Sequence, residues 1–96
     1  MPSPSVSPYL IVPKAPQFSH EHADAISKWV LGRHTAHTVV VDLSHATDAT
    51  TAAFATLVVL RKRLLRDGRD LRVAGLRERA EHVFRLNRLQ EVLPSN

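Results

Sequence analysis

Cysteine is absent from this 96-residue chain, glycine occurs three times, and the aromatics amount to three phenylalanines, one tyrosine and one tryptophan. Without cysteine the fold uses no disulfides and no thiolate metal ligands, and a reducing compartment suits it at least as well as an oxidising one. The scattered glycines form no phosphate-cradling loop. Long apolar runs are missing too: the first, Tyr9 to Val12, is far too short for a signal segment or a membrane span, so a cytoplasmic location is expected. The opening MPSPSVSP, with its prolines and serines, reads as a flexible tail over residues 1–7, which leaves 8–96 for a domain.

What is present supports one core. With 44% hydrophobic residues a chain of this length can fold as a single domain, and there is no room for a second. The net charge of +4 is unevenly placed, because ten of the 13 lysines and arginines lie from Arg61 onward. Such a bias attracts nucleic acid, anionic lipid or an acidic protein face, and it is equally what an arginine-rich solvated helix surface looks like. The one aromatic among the arginines, Phe84, is read as an inward-facing residue of the last helix, so none is placed to stack on bases.

The hydrophobic pattern alternates strand and helix. YLIV is a short strand closed by Pro13, and APQ a turn. Ser19 N-caps a helix to about Leu31 with Ile26, Trp29 and Val30 inward and Phe18 stapled to Ala23, and Gly32 ends it. HTVVVDL suits a strand covered on both faces. A second helix runs from about Thr50 to Arg66, burying Phe54, Leu57, Val58, Leu60, Leu64 and Leu65, and stops at Asp67-Gly68. Leu71 to Ala74 is a further strand and ERAEHVFRL a third helix with Ala80, Val83 and Phe84 inward. This order implies an α/β fold with a mixed, mostly parallel sheet of about four strands and right-handed crossovers.

Catalytic and metal-binding patterns are weak. His20 and His22 lie two apart on a helix and so point in different directions, His34 and His37 sit in a polar loop, and His45 and His82 have no suitably spaced acidic partner. Thr51, His45 and Asp48 are near in sequence, but nothing in their spacing makes a nucleophile, base and orienting acid converge. No enzyme activity, metal or cofactor is therefore expected. The second helix carries a different signal: Thr51, Ala55, Val59 and Lys62 follow one another at helical spacing on a face that is small, smooth and partly apolar. That face suits either a docking surface or an alanine-rich helix packed on its own neighbour.

Between Val39 and Leu89 an apolar strand ends in Asp42-Leu43-Ser44, a loop leads to Thr50-Thr51-Ala52-Ala53-Phe54 opening a helix, Gly68 turns the chain, LRVAG is a strand, and a last helix ends at Asn87-Arg88-Leu89. This order resembles the STAS domain, the fold of anti-sigma factor antagonists, whose pattern is Asp-Leu-Ser, a loop, Asp-Ser-Ser-Gly-Leu at a helix start, a Gly turn, a strand and a final helix. The resemblance implies a STAS-like sheet with helices mainly on one side. It also places Thr51 where the family carries its phosphorylatable serine or threonine. A hydroxyl there caps the helix, hydrogen-bonds a partner, or carries a phosphate that the helix terminus tolerates.

By this resemblance the chain is a non-enzymatic regulator that docks an anti-sigma factor or switch kinase through His45, Thr47, Asp48, Thr50, Thr51, Ala52, Ala55, Val59 and Lys62, with release on phosphorylation of Thr51. The same resemblance allows a STAS subunit of a phospholipid-transport ABC complex that binds its ATPase, and the terminal EVLP is similar to an ending in that group. A basic nucleic-acid-binding module is the reading from a different class. The chain departs from the family pattern at three places: Thr50 replaces the aspartate, leaving Asp48 as an acidic stand-in; Ala53 replaces a glycine; and Arg88 replaces the late glycine, so Asn87 is expected to take the left-handed helix end.

Overall fold

A computed structural model describes residues 8–33 and 36–95. The tail assigned to residues 1–7 and the loop position of His34 lie outside them. In chain order the elements are β1 (Tyr9–Ile11), β2 (Gln17–Phe18), α1 (His20–Arg33), β3 (Thr38–Asp42), β4 (Asp48–Ala49), α2 (Thr51–Arg66), β5 (Asp70–Ala74), α3 (Glu78–Leu86) and a 3-10 turn at Leu89–Glu91.

The main sheet has the order β1-β3-β5, and both of its pairings are parallel, with Tyr9 opposite Val39 and Val39 opposite Leu71. An isolated parallel bridge from Val73 to Ser95, with the Val73 N–H donating to the Pro94 carbonyl at 2.9 Å, extends it by one short step at the β5 edge. The pleat decides which side chains meet the helices. Val39, Val41, Leu71 and Val73 enter one core with Phe18, Ile26, Val30, Phe54, Leu57, Leu60, Leu64, Phe84 and Leu93. The register neighbours Leu10, Val40 and Arg72 form a row on the reverse face. All three helices contribute to that single core, and Phe54 of α2 meets Phe84 of α3 edge to face at 5.4 Å between ring centres. No helix among the described residues is long and apolar enough to cross a membrane.

Several details differ from the sequence reading. The segment read as the turn APQ and the loop after β3 pair with each other, since Gln17 and Phe18 lie parallel to Asp48 and Ala49 as a separate two-stranded ribbon. Two residues per strand are too few to leave a period in the sequence. Gly32 does not end α1, which continues to Arg33; its φ is not in the left-handed range, so it serves there as an ordinary helical residue. Trp29 is 36% exposed and stacks on Tyr9 at 5.1 Å. Leu65 is 47% exposed because it sits about 100° round the helix from the buried Leu64. The left-handed residue after α3 is Arg88 at φ 53, whereas Asn87 keeps φ −93 and donates its side-chain amide to the Val83 carbonyl at 2.8 Å. That bond holds Asn87 on the helix, and the reversal passes to the next residue.

Gly68 behaves as expected. Its φ is 72, and the N–H groups of Asp67, Gly68 and Arg69 return to the carbonyls of Leu64 and Leu65 to close α2. Gly75, at the end of β5, has φ 69, and a Cβ there would stand 2.5 Å from the Asp42 carboxylate and 2.8 Å from the Ser44 nitrogen. That carboxylate accepts from the Ser44 N–H at 2.9 Å. Asp42, Ser44 and Gly75 thus form one packed corner at the carboxyl ends of β3 and β5, with Leu43 fully buried between them.

Candidate functional site

The chain leaves β3 at Asp42, crosses the corner and reaches α2 through a segment that is pinned along most of its length. The carbonyl of Pro16 accepts from the N–H groups of Thr47 and Asp48 at 2.9 and 3.2 Å and from the Thr47 hydroxyl at 3.3 Å. The Thr47 carbonyl in turn accepts from the Ala80 N–H at 3.2 Å, and the Phe18 carbonyl accepts from the Thr50 N–H at 3.1 Å. The entry to α2 is therefore fixed by both the strand before α1 and the start of α3. Thr47 and Asp48 are half-buried in this lattice. The Asp48 carboxylate accepts from the Ala49 N–H at 2.8 Å and pairs with Arg79 at 3.4 Å, so it is committed to the α3 side. His45, by contrast, is exposed.

Two adjacent threonines stand at the head of α2. Thr50 is the N-cap: its backbone is extended and its side-chain oxygen accepts from the Ala53 N–H at 3.1 Å. Thr51 is the first helical residue and is exposed, and its hydroxyl makes no hydrogen bond with any described residue. Capping, which the sequence left open for Thr51, therefore belongs to its neighbour. Threonine and aspartate are both capping side chains, which accounts for Thr50 at a place where an aspartate would also serve.

Beyond Thr51 the helix divides cleanly by face. Ala53, Phe54, Leu57, Leu60 and Leu64 are buried, while Thr51, Ala52, Ala55, Val59 and Lys62 are exposed, with Val59 at 65%. The structure brings all five of these expected residues onto one outer stripe. Thr56 borders it, donating to the Ala52 carbonyl at 3.1 Å and lying 3.2 Å from the His20 ring. His20 and Thr56 are 36 residues apart, a separation that leaves no local sign of their contact in the sequence. Arg63 and Arg66 also lie exposed beyond Lys62, and their i+4 and i+7 spacing from Val59 was a readable signal.

His22 and His37 are engaged singly. His22 Nδ1 accepts from the Ser19 N–H at 3.1 Å and lies 2.9 Å from its hydroxyl, and His37 contacts the Thr38 hydroxyl at 3.2 Å. No group of three potential metal ligands occurs among the described residues.

Against known proteins, the model of the STAS domain matches residues 5–95. Two solved structures are similar throughout. The crystal structure of a sulfate transporter family protein from Wolinella succinogenes superposes with a TM-score of 0.76 at 14% identity, covering 97% of this chain and 75% of the other. The NMR structure of the protein TM1081 gives 0.75 at 18% identity, covering 91% and 71%. No curated protein matches the chain in sequence. The parallel β1-β3-β5 sheet, the pinned entry to α2 and the match across nearly the whole length agree: the chain belongs to the STAS domain family.

Proposed function

We propose that this STAS domain is a non-enzymatic docking protein that binds a protein partner through the outer face of α2, with Thr51 as its modification point. The observation that carries this is the split at the helix head. Thr50 does the capping, so the exposed Thr51 hydroxyl has no role in holding the fold. Around it Ala52 and Ala55 let a partner backbone approach, and Val59, two turns along, supplies apolar contact. A phosphate on Thr51 adds roughly −1.5 to −2 charges at the head of that face, which opposes docking by desolvation and repulsion. The partner class is an anti-sigma factor or switch kinase, as for the antagonists the chain resembles.

A second reading keeps the face and changes the setting: a STAS subunit that docks on the ATPase of a transport complex. It is favoured by the capping at Thr50, because the residue next to Thr51 is then neutral and the Asp48 carboxylate is engaged by Arg79, and an unmodified threonine then serves as a plain contact.

The test is capture from lysate of the source organism by the full chain, with each protein identified and then purified for affinity measurement. Thr51→Glu and Thr51→Asp are expected to weaken binding, Thr51→Ala to retain most of it, and Val59→Lys to abolish it, with all four variants melting as the parent does. A histidine-kinase-like ATPase among the captured proteins supports the first setting and an ABC ATPase the second. Equal binding by all variants would show that the partner uses another surface.

A further inference from the structure

The docking face does not stop at Val59. Ala52, Ala55, Val59, Lys62 and Arg66 follow one another at spacings of three and four, so they form one stripe, with Arg63 beside it one turn beyond Val59. The stripe is apolar in its first half and cationic in its second. α2 carries no acidic residue anywhere between Thr51 and Arg66.

Most other cations among the described side chains are matched, Lys14 and Arg88 excepted. Arg61 meets Asp70 at 2.8 Å and also donates to the Val92 carbonyl at 3.2 Å. Arg72, Arg77, Arg79, Arg85 and Lys28 each lie within 4 Å of a carboxylate, and Arg69 donates to the Ala36 carbonyl. Lys62, Arg63 and Arg66 are exposed and form no ion pair or hydrogen bond with any described residue. The field at a helix C-terminus accounts for cations in the last turn, where Arg63 and Arg66 lie. It does not account for Lys62 continuing the apolar stripe; the carboxylates nearest in sequence, Asp67 and Asp70, lie past the last turn, and Asp70 is taken by Arg61.

We propose that the partner of this face is a protein whose contact surface pairs a small apolar patch with carboxylates lying about 5–10 Å along it, the run of α2 from Val59 to Lys62 and Arg66. The proposal rests on the docking reading above. It deepens that reading by assigning the two halves different work: the apolar half supplies affinity, and the three cations supply steering, register and salt dependence. A protein fits better than a polyanion, since Ala52, Ala55 and Val59 offer nothing to a sugar-phosphate chain. No exposed aromatic lies on the stripe to stack on bases or anchor at a lipid interface.

The experiment follows the backbone amides of the full chain by NMR while it is titrated with a blocked helical peptide. The peptide carries an alanine and leucine face and glutamates at i, i+4 spacing, and a control has glutamine at each glutamate. The acidic peptide is expected to shift amides between Ala52 and Arg66, to bind about tenfold more tightly than the control, and to lose that advantage between about 0.05 and 0.3 M salt. The triple variant K62E/R63E/R66E is expected to remove the advantage while melting as a folded protein. Absence of any localised shift, equal binding of the glutamine control, or shifts centred on Arg77 to Arg88 overturns the proposal.

Phosphatidylglycerol vesicles and a short DNA duplex are the competing probes. Tighter binding of either one, abolished by the same triple variant, overturns the proposal in favour of a membrane or nucleic acid. Val59→Lys separates the two layers. If it abolishes peptide binding and the triple variant does not, the docking face stands and the acidic partner falls. If it leaves acidic-peptide binding intact while the triple variant abolishes it, the cations act alone and the docking face falls.

Discussion

At the head of α2 two hydroxyls one peptide apart do different things, and their removal should be felt differently. Thr50→Ala deletes the bond to the Ala53 N–H and is expected to lower stability by about 1 kcal/mol in urea unfolding, whereas Thr51→Ala stays within about 0.5 kcal/mol. An equal loss at both positions would mean that Thr51 shares the capping and is not free to signal. Two of the left-handed residues, Arg88 and Gly75, make a second comparison. Arg88 holds φ 53 without the freedom of glycine, so Arg88→Gly should stabilise by about 0.5–1 kcal/mol, visible as a raised melting temperature. Gly75→Ala should cost about 1–3 kcal/mol, because a positive φ and the Asp42 carboxylate both stand against a Cβ. Which of Asn87 and Arg88 would reverse was not legible from residue type, which favours asparagine. The Asn87 amide finds the Val83 carbonyl instead, and that preference appears only once the helix exists.

For whole elements, legibility followed length. α2 and α3 extend over 16 and nine residues with regular apolar spacing, and their spans could be read almost to the residue. β2 and β4 have two residues each and could not, yet they hold the site: Pro16, Phe18 and Thr47 anchor the entry to α2. Apart from the Thr47 hydroxyl on the Pro16 carbonyl, their bonds are backbone to backbone, so side-chain chemistry gives little sign of them. Of the expected docking residues, Thr47 and Asp48 are half-buried and bonded to Pro16 and Arg79, while His45, Thr51, Ala52, Ala55, Val59 and Lys62 face outward. Within α2 the buried face is the brittle one. Leu57→Ala, at a position with no exposure, is expected to destabilise by about 2–5 kcal/mol, while Val59→Ala on the opposite face should leave the melt nearly unchanged and act on binding alone.

For the molecule as a whole, the α/β class was visible in the chain because one hydrophobic core imposes its period on every long element, and the Asp-Leu-Ser to Gly68 register through its resemblance to STAS domains. The open strand edges were not, since pairing partners far apart in sequence leave no local mark. One such edge is closed by the bridge from Val73 to Ser95 and by fully buried Leu93; Leu93→Ala should cost about 2–4 kcal/mol and raise amide exchange along β5 before it does so in β3. The all-parallel pairing reaches beyond stability. Among the described residues no two paired strands are joined by a tight hairpin, so the first sheet contact must wait until a helix has crossed over, and chain closure precedes any reward. Stopped-flow refolding should consequently run in milliseconds or slower, and a newly made chain stays incomplete until β5 has emerged to meet β3.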